Sequence, residues 1–156
     1  MHGDEQVVGL LNEVLTAELT VVNQYFLDAK MFDNWGYQRL GACFRAESID
    51  EMKDADELIE RIPYLDGHPN VQRLGTIRIG ETAPEKFSLA LELEREAIDR
   101  LNRGIDLSVD RADNGSRELL EKILLGEEEH ADWLETQLAL ISSIGDATYL
   151  GQQIHA

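Results

Sequence analysis

A single cysteine, Cys43, excludes an internal disulfide and suits a reducing compartment, where it reads as a small apolar filler. Basic residues are also scarce: 14 Lys and Arg stand against 31 Asp and Glu, a formal net charge of −17. That balance argues against nucleic acid and against an anionic membrane surface, both of which need a basic face. It suits cations, whose arrival a focused acidic path speeds, although acidity also serves plain solubility. No apolar run approaches the roughly 20 residues that span a bilayer. Met1, His2, Gly3 and Asp4 form neither a basic nor an apolar leader segment, so no signal peptide is expected and the cytoplasm is the expected location. Only three prolines interrupt the 156 residues, and glycine is sparse inside the long segments. The length fits one domain with a full core.

What is present is helical periodicity. Apolar residues recur at steps of three and four, which predicts helices over about 4–35, 37–64, 82–111 and 114–144, with a short fifth over 146–154. Pro84 and Glu85 mark the start of the third helix near Thr82, Asn114 is the expected N-cap of the fourth, and Gly145 its C-cap. Pro63 falls in the last turn of the second, where it bends or ends a helix. Helices this long bury one another only in a bundle. The connections are short between the first two and between the last two, which makes antiparallel hairpins. Residues 66–81, with Gly67, Pro69, Gly75 and Gly80, form a link able to reach roughly 50 Å. A link that long can run the length of the bundle and set the third helix parallel to the second. The expected architecture is therefore all-α: a four-helix bundle with one long crossover.

The inward stripes carry the chemistry. They read Leu11, Leu15, Glu18, Val22, Tyr25; Phe44, Glu47, Glu51, Asp54, Leu58; Phe87, Leu91, Glu94, Ile98, Leu101, Ile105; and Leu120, Ile123, Glu127, His130, Leu134, Ile141. Each apolar stripe is broken near its middle by acids. The separation that carries Glu18 to Glu94 also carries Glu51 to Glu127 and Asp54 to His130, so the two hairpins read as copies. Isolated ionised groups in a core cost several kcal/mol each, of order 5, even after relaxation. No Lys or Arg lies on these stripes at that level, so bound cations are the remaining compensation. A Glu from each of two helices and a Glu-x-x-His pair from each of the others is the di-iron carboxylate pattern, and i, i+3 spacing lets Glu127 and His130 share one ion. Oxygen and imidazole donors suit iron, manganese or zinc. A lone Glu-x-x-His is commonplace on helix surfaces; six such positions on four stripes with one common separation are not.

These residues resemble bacterioferritin over essentially the whole chain. The matching segments are Glu18 with Asn23-Gln24-Tyr25-Phe26-Leu27, then Glu47-Ser48-Ile49-Asp50-Glu51-Met52, then Leu74-Gly75 to Ile79-Gly80-Glu81, and Glu127 to His130 followed by Asp132-Trp133-Leu134-Glu135-Thr136. The resemblance implies a 24-subunit hollow shell of subunit dimers and oxidation of Fe(II) by O2 or H2O2 at an intrasubunit di-iron site. Its metal ligands would be Glu18, Glu51, Asp54, Glu94, Glu127 and His130. It also implies a stored ferric mineral, b-type haem shared between two subunits, and a ferredoxin-type reductant for iron release. Met52 corresponds to the haem axial ligand, and Leu19, Asn23 and Phe26 to the lining of that pocket. On the helix alone, Met52 lies about 100° from Glu51 and faces outward with Ile49 and Ile59, so an apolar contact explains it equally. Tyr25 is expected to hydrogen-bond a ligand or take part in redox chemistry. Glu47 and Asp50 are expected on the metal side and His2, His68 and His155 in solvent.

One residue departs from the family pattern. Asp54 stands where a second Glu-x-x-His would place His. Its carboxylate oxygen and the nearer imidazole nitrogen are both one bond beyond the γ position, so where the family's His binds through that nitrogen Asp54 can substitute without moving the helix. A fifth carboxylate makes the pocket more anionic and favours ferric iron. The expectation is a working ferroxidase with altered binding. The alternative is a haem-bearing shell subunit with little oxidation of its own, mixed with a second subunit type. Rubrerythrin-like peroxidases add a Cys cluster that is absent here; di-manganese enzymes lack the haem Met; mini-ferritins place metal between subunits, against the internal repeat.

Overall fold

The structure, a computed structural model, describes residues 1–155. Its helices are α1 Glu5–Asn34, α2 Gln38–Tyr64, α3 Ala83–Asp110, α4 Asn114–Ile144 and α5 Asp146–Gly151, with no strand among the described residues. Local chemistry sets their ends. The Asp4 carboxylate accepts from the Gln6 and Val7 N–H groups at 2.9 and 3.1 Å, and Thr82 caps α3 with Pro84 in its first turn. Pro63 sits one residue before the end of α2. Gly36, at φ 91°, takes the left-handed turn between α1 and α2 that a Cβ would strain.

Two predicted ends are corrected. The N-cap of α4 is Asp113, not Asn114. Asp113 accepts from the Ser116 N–H at 3.0 Å and from its hydroxyl at 2.7 Å, and pairs with Arg61 at 2.8 Å. A carboxylate takes these donors together, and they hold it below the usual carboxylate range in spite of the opposing pull of burial. The fifth helix stops at Gly151 rather than near Ile154. There the bonds from Gln152 N to Tyr149 O and from Gln153 N to Leu150 O tighten to three-residue spacing. Asp113→Ala is expected to cost about 1–2 kcal/mol, read as a lower urea midpoint at unchanged slope.

The bundle has the crossover topology. The Ser48 hydroxyl donates to Val22 O at 2.8 Å, which sets α1 against α2 in antiparallel register and lays residues 19–26 beside 45–52. Arg61–Ser116 and Phe44–Trp133 contacts run α2 antiparallel to α4, while Phe44 stacks with Phe87 near the start of both α2 and α3, which are parallel. The crossover lies along α1 and is fastened there by its side chains. Asn12 donates to His68 O at 3.0 Å and accepts from Asn70 N at 2.8 Å; Thr20 accepts from Gly75 N at 2.7 Å. Gln24 accepts from Arg78 N at 2.6 Å and donates to Arg78 O. Steps of eight and four residues place these three on one face of α1. The core divides in two: an aromatic half around Tyr25, Phe32, Phe44, Phe87 and Leu134, and an aliphatic half around Leu11, Leu15, Leu58, Ile62, Leu101 and Leu120.

Candidate metal centre

Between those halves the four helices each turn a glutamate inward. Glu18, Glu51, Glu94 and Glu127 are at most 3% exposed, and His130 is 3% exposed. Oxygens of Glu18, Glu51, Asp54 and Glu127 all lie within 4.8 Å of one another, the first, second and last buried and Asp54 half-buried. Asp54 thus joins the glutamates at the position where the repeat puts His130 in the second hairpin. On the other side of the pocket, Glu94 Oε1 accepts the Tyr25 hydroxyl and lies 3.0 Å from His130 Nδ1. His130 stacks on Trp133, ring centres 5.9 Å apart, and Tyr25 meets His130 and Phe44 edge-on.

No Lys or Arg forms an ion pair with any of the five pocket acids among the described residues. Glu18 Oε2, Glu51 Oε2, Glu94 Oε2 and His130 Nε2 are buried without hydrogen-bond partners. Such orphaned donors and acceptors cost stability unless something else satisfies them. The titration of the acids carries the same strain. Burial, then the neighbouring Glu127 charge, pushes Glu18 well above the usual carboxylate range. Burial and Glu18 do the same to Glu51, and burial and the contact with Glu94 to Glu127. Burial also pushes Glu94 up, but its bonds with Glu127, His130 and Tyr25 outweigh that and hold it low. Asp54 is raised to about 7 by burial and the Glu57 charge, against the pull of Lys122. Burial raises Tyr25, keeping it a phenol that donates to Glu94.

A cleft between α2 and α4 opens onto this pocket, lined by Glu47, Asp50, Asp54, Glu129 and Trp133 above Glu51, Glu127 and His130. Glu47 Oε2 approaches His130 Nδ1 to 3.7 Å, and Asp50 lines the same cleft, so both lie on the side of the pocket acids. A mouth whose charged residues are all acidic, set over buried acids, favours cations and repels anions. His2, His68 and His155 are exposed. The outward face holds the remaining predicted residues. Met52 and Phe26 are 48% exposed and Ile49 is 49% exposed; Asn23 is exposed and Leu19 half-buried. Ile59, expected on that face, is instead partly buried against the aliphatic core.

Sequence reasoning missed a buried ion pair. Lys86 and Asp28 are 1% and 0% exposed, with Nζ 2.7 Å from Oδ1. Asp28 also accepts from Gln24 Nε2 at 3.3 Å, which joins the pair to the crossover clamp. The available signal was Asp28 on the inward side of α1, one step of three beyond Tyr25; its partner is distant in sequence.

A family model for the ferritin-like domain matches residues 8–144. Bacterioferritin BfrA of Mycobacterium tuberculosis is 51% identical over 152 residues, covering 97% of this chain and 96% of its own. Bacterioferritin of Streptomyces coelicolor is 50% identical over 154 residues, 99% of this chain and 92% of its own. Bacterioferritin of Brucella melitensis is 39% identical over 149 residues, 96% and 92% of the two chains.

Proposed function

Since the chain belongs to the bacterioferritin family of ferritin-like proteins, we propose that it is a cytoplasmic iron-storage subunit that oxidises Fe(II) in the pocket between its four helices and keeps the ferric product inside a shell of 24 copies. The observation that carries this reading is the cluster of carboxylates, Glu18, Glu51 and Glu127 buried among them, with which no Lys or Arg forms an ion pair among the described residues. Divalent substrate ions supply the missing charge.

Ferrous ions reach the pocket down the acidic cleft past Glu47, Asp50 and Glu129. Glu18 and Asp54 hold one, Glu94 and His130 hold the other, and Glu51 and Glu127 lie between them. Two ions give up one electron each. Dioxygen takes both electrons and two protons and leaves as hydrogen peroxide; with peroxide as oxidant, two waters leave. Carboxylates protonated before binding release their protons as the metal enters. Tyr25 positions Glu94 through its hydroxyl, and the aromatic and aliphatic core halves keep bulk water away.

The outward face fits haem. Met52 offers a thioether on an exposed face with Ile49 and Phe26, with Asn23 exposed and Leu19 half-buried, and a second copy docking on this face would bring a second Met52 to the same haem. Haem held there by Met52 would supply one-electron transfer, which would serve iron release with a ferredoxin-type reductant. Met52→Leu is expected to lose the thioether-ligated haem spectrum and to retain Fe(II) oxidation.

Stopped-flow oxidation of Fe(II) by the pure chain tests the central claim, with Asp54→His alongside and native mass reporting the assembly. The position of Asp54 among Glu18, Glu51 and Glu127 leads us to expect a fast phase in both proteins. A native chain without a fast phase, beside an Asp54→His variant that gains one, would instead make this a shell subunit with little oxidation of its own.

A further inference from the structure

Resting on that reading of the pocket, we propose that its two halves are unequal and fill in order. The all-oxygen half of Glu18, Glu51, Asp54 and Glu127 seats the first divalent cation tightly. The half of Glu94 and His130 takes a second one more weakly. Asp54 sets the difference.

The first half is already gathered. Its four carboxylates bring oxygens within 4.8 Å of one another. Glu18 Oε2 and Glu51 Oε2 are buried with no partner to give up, so binding there breaks no hydrogen bond at those atoms. Four oxygen donors also suit hard cations such as Mn(II), Mg(II) or Fe(III). With a His at position 54 the same half would carry one negative charge fewer and one nitrogen donor more.

The second half is tied to itself. Glu94 Oε1 holds the Tyr25 hydroxyl and lies 3.0 Å from His130 Nδ1, which in turn lies 3.7 Å from Glu47 Oε2. An ion coordinated through Glu94 Oε1 and His130 Nδ1 must displace the Glu94–His130 contact, and although Glu94 Oε2 and His130 Nε2 are without partners, neither residue joins the cluster of oxygens within 4.8 Å that forms the first half. The second ion also arrives after the first ion's two positive charges have offset part of the carboxylate charge that would attract it. Both effects act against the second ion, and together they make its binding at least about tenfold weaker.

Mn(II) titration of the chelator-stripped, full-length assembly tests this by calorimetry and electron paramagnetic resonance. The expected result is one tight equivalent per chain with the hyperfine pattern of an isolated ion, then a weaker equivalent that brings spin coupling. Asp54→Ala should lose the tight equivalent, His130→Ala should keep it and lose the second, and Asp54→His should draw the two constants together. Circular dichroism and native mass establish that each variant is folded and assembled. Two equal constants with spin coupling from the first addition overturn the order but leave the pocket as a metal site. A tight equivalent that survives Asp54→Ala and disappears in His130→Ala overturns the assignment of the halves. No Mn(II) bound at all overturns both the order and the function on which it rests.

Discussion

Lys86→Ala is expected to destabilise the chain by about 3–5 kcal/mol, one of the largest effects of any single substitution. The reason is asymmetric. Lys86 and Asp28 are almost wholly out of water, 2.7 Å apart, and the Lys86 ammonium also lies 3.3 Å from Met31 Sδ and 5.4 Å from the Trp35 ring centre. Attraction between them offsets a large desolvation cost, so the intact pair contributes little by itself. Removing Lys86 leaves a carboxylate buried with only Gln24 beside it. Burial already raises Asp28 above its ordinary range against the opposing bond and charge of Lys86. Without Lys86 it must stay protonated. Because Gln24 also clamps the crossover backbone at Arg78, the loosened Asp28 reaches the segment that sets the bundle's topology. The double variant Asp28→Leu with Lys86→Met should recover most of the loss, since apolar replacement of both partners of a buried pair is often neutral or better. Urea midpoints decide it: a Lys86→Ala loss below about 1 kcal/mol would mean that the pair is solvated in the working protein.

The second large effect joins metal, pH and stability. Glu18, Glu51 and Glu127 are pushed above the ordinary value of 4.5, and Asp54 from 3.8 to about 7. A group whose folded pKa is raised binds protons that the unfolded chain has released. Its contribution is therefore full below the unfolded pKa and lost as pH rises through the folded one. For Asp54 that window runs from 3.8 to about 7. Glu94 and Asp113, both held low, have the opposite sign: their contribution is present above the ordinary carboxylate value and lost as pH falls through the folded one. Chelator-treated protein should accordingly be more stable near pH 5.5 than near pH 8, and weaken again in stronger acid.

Metal reverses the trend above neutrality. A divalent ion at about a hundred times its dissociation constant adds about 2.7 kcal/mol, a rise in melting temperature of about 5–10 °C for a chain of this size. The rise should grow with pH because binding displaces protons. Glu127→Gln separates the two effects. The neutral amide fits the same space and can donate to Glu94 or Glu51, so the chelator-treated variant should melt higher than the parent at about pH 8, by about 2 °C or more. It should also lose most of the metal-induced rise. Calorimetric melting of both proteins, with and without Mn(II), measures this. A Glu127→Gln chain that is less stable than the parent without metal would mean that the pocket acids are not in conflict.

Helix count, the long crossover and the shared inward face of the six stripe positions were legible in the amino-acid order because each is a periodic property. A stripe stepping by three and four projects onto one face whatever lies opposite, and the shared separation linking Glu18, Glu51 and Asp54 to Glu94, Glu127 and His130 marks the two hairpins as equivalent. Helix ends were less legible. Asp113 and Asn114 are both good caps, and only Ser116 and Arg61 arriving around one carboxylate chose between them.

Three things were decided by tertiary structure alone. Whether Asp54 reaches the glutamates depends on how closely α2 packs to α1 and α4, a distance no periodicity encodes; the packing brings it in. Whether Glu94 stands free or bound depends on Tyr25 and His130 meeting it from α1 and α4. The pairing of Lys86 with Asp28 needs two helices to cross at one level, 58 positions apart along the chain. Faces are a local consequence of backbone geometry, whereas partners are set by where separate helices come to rest against each other.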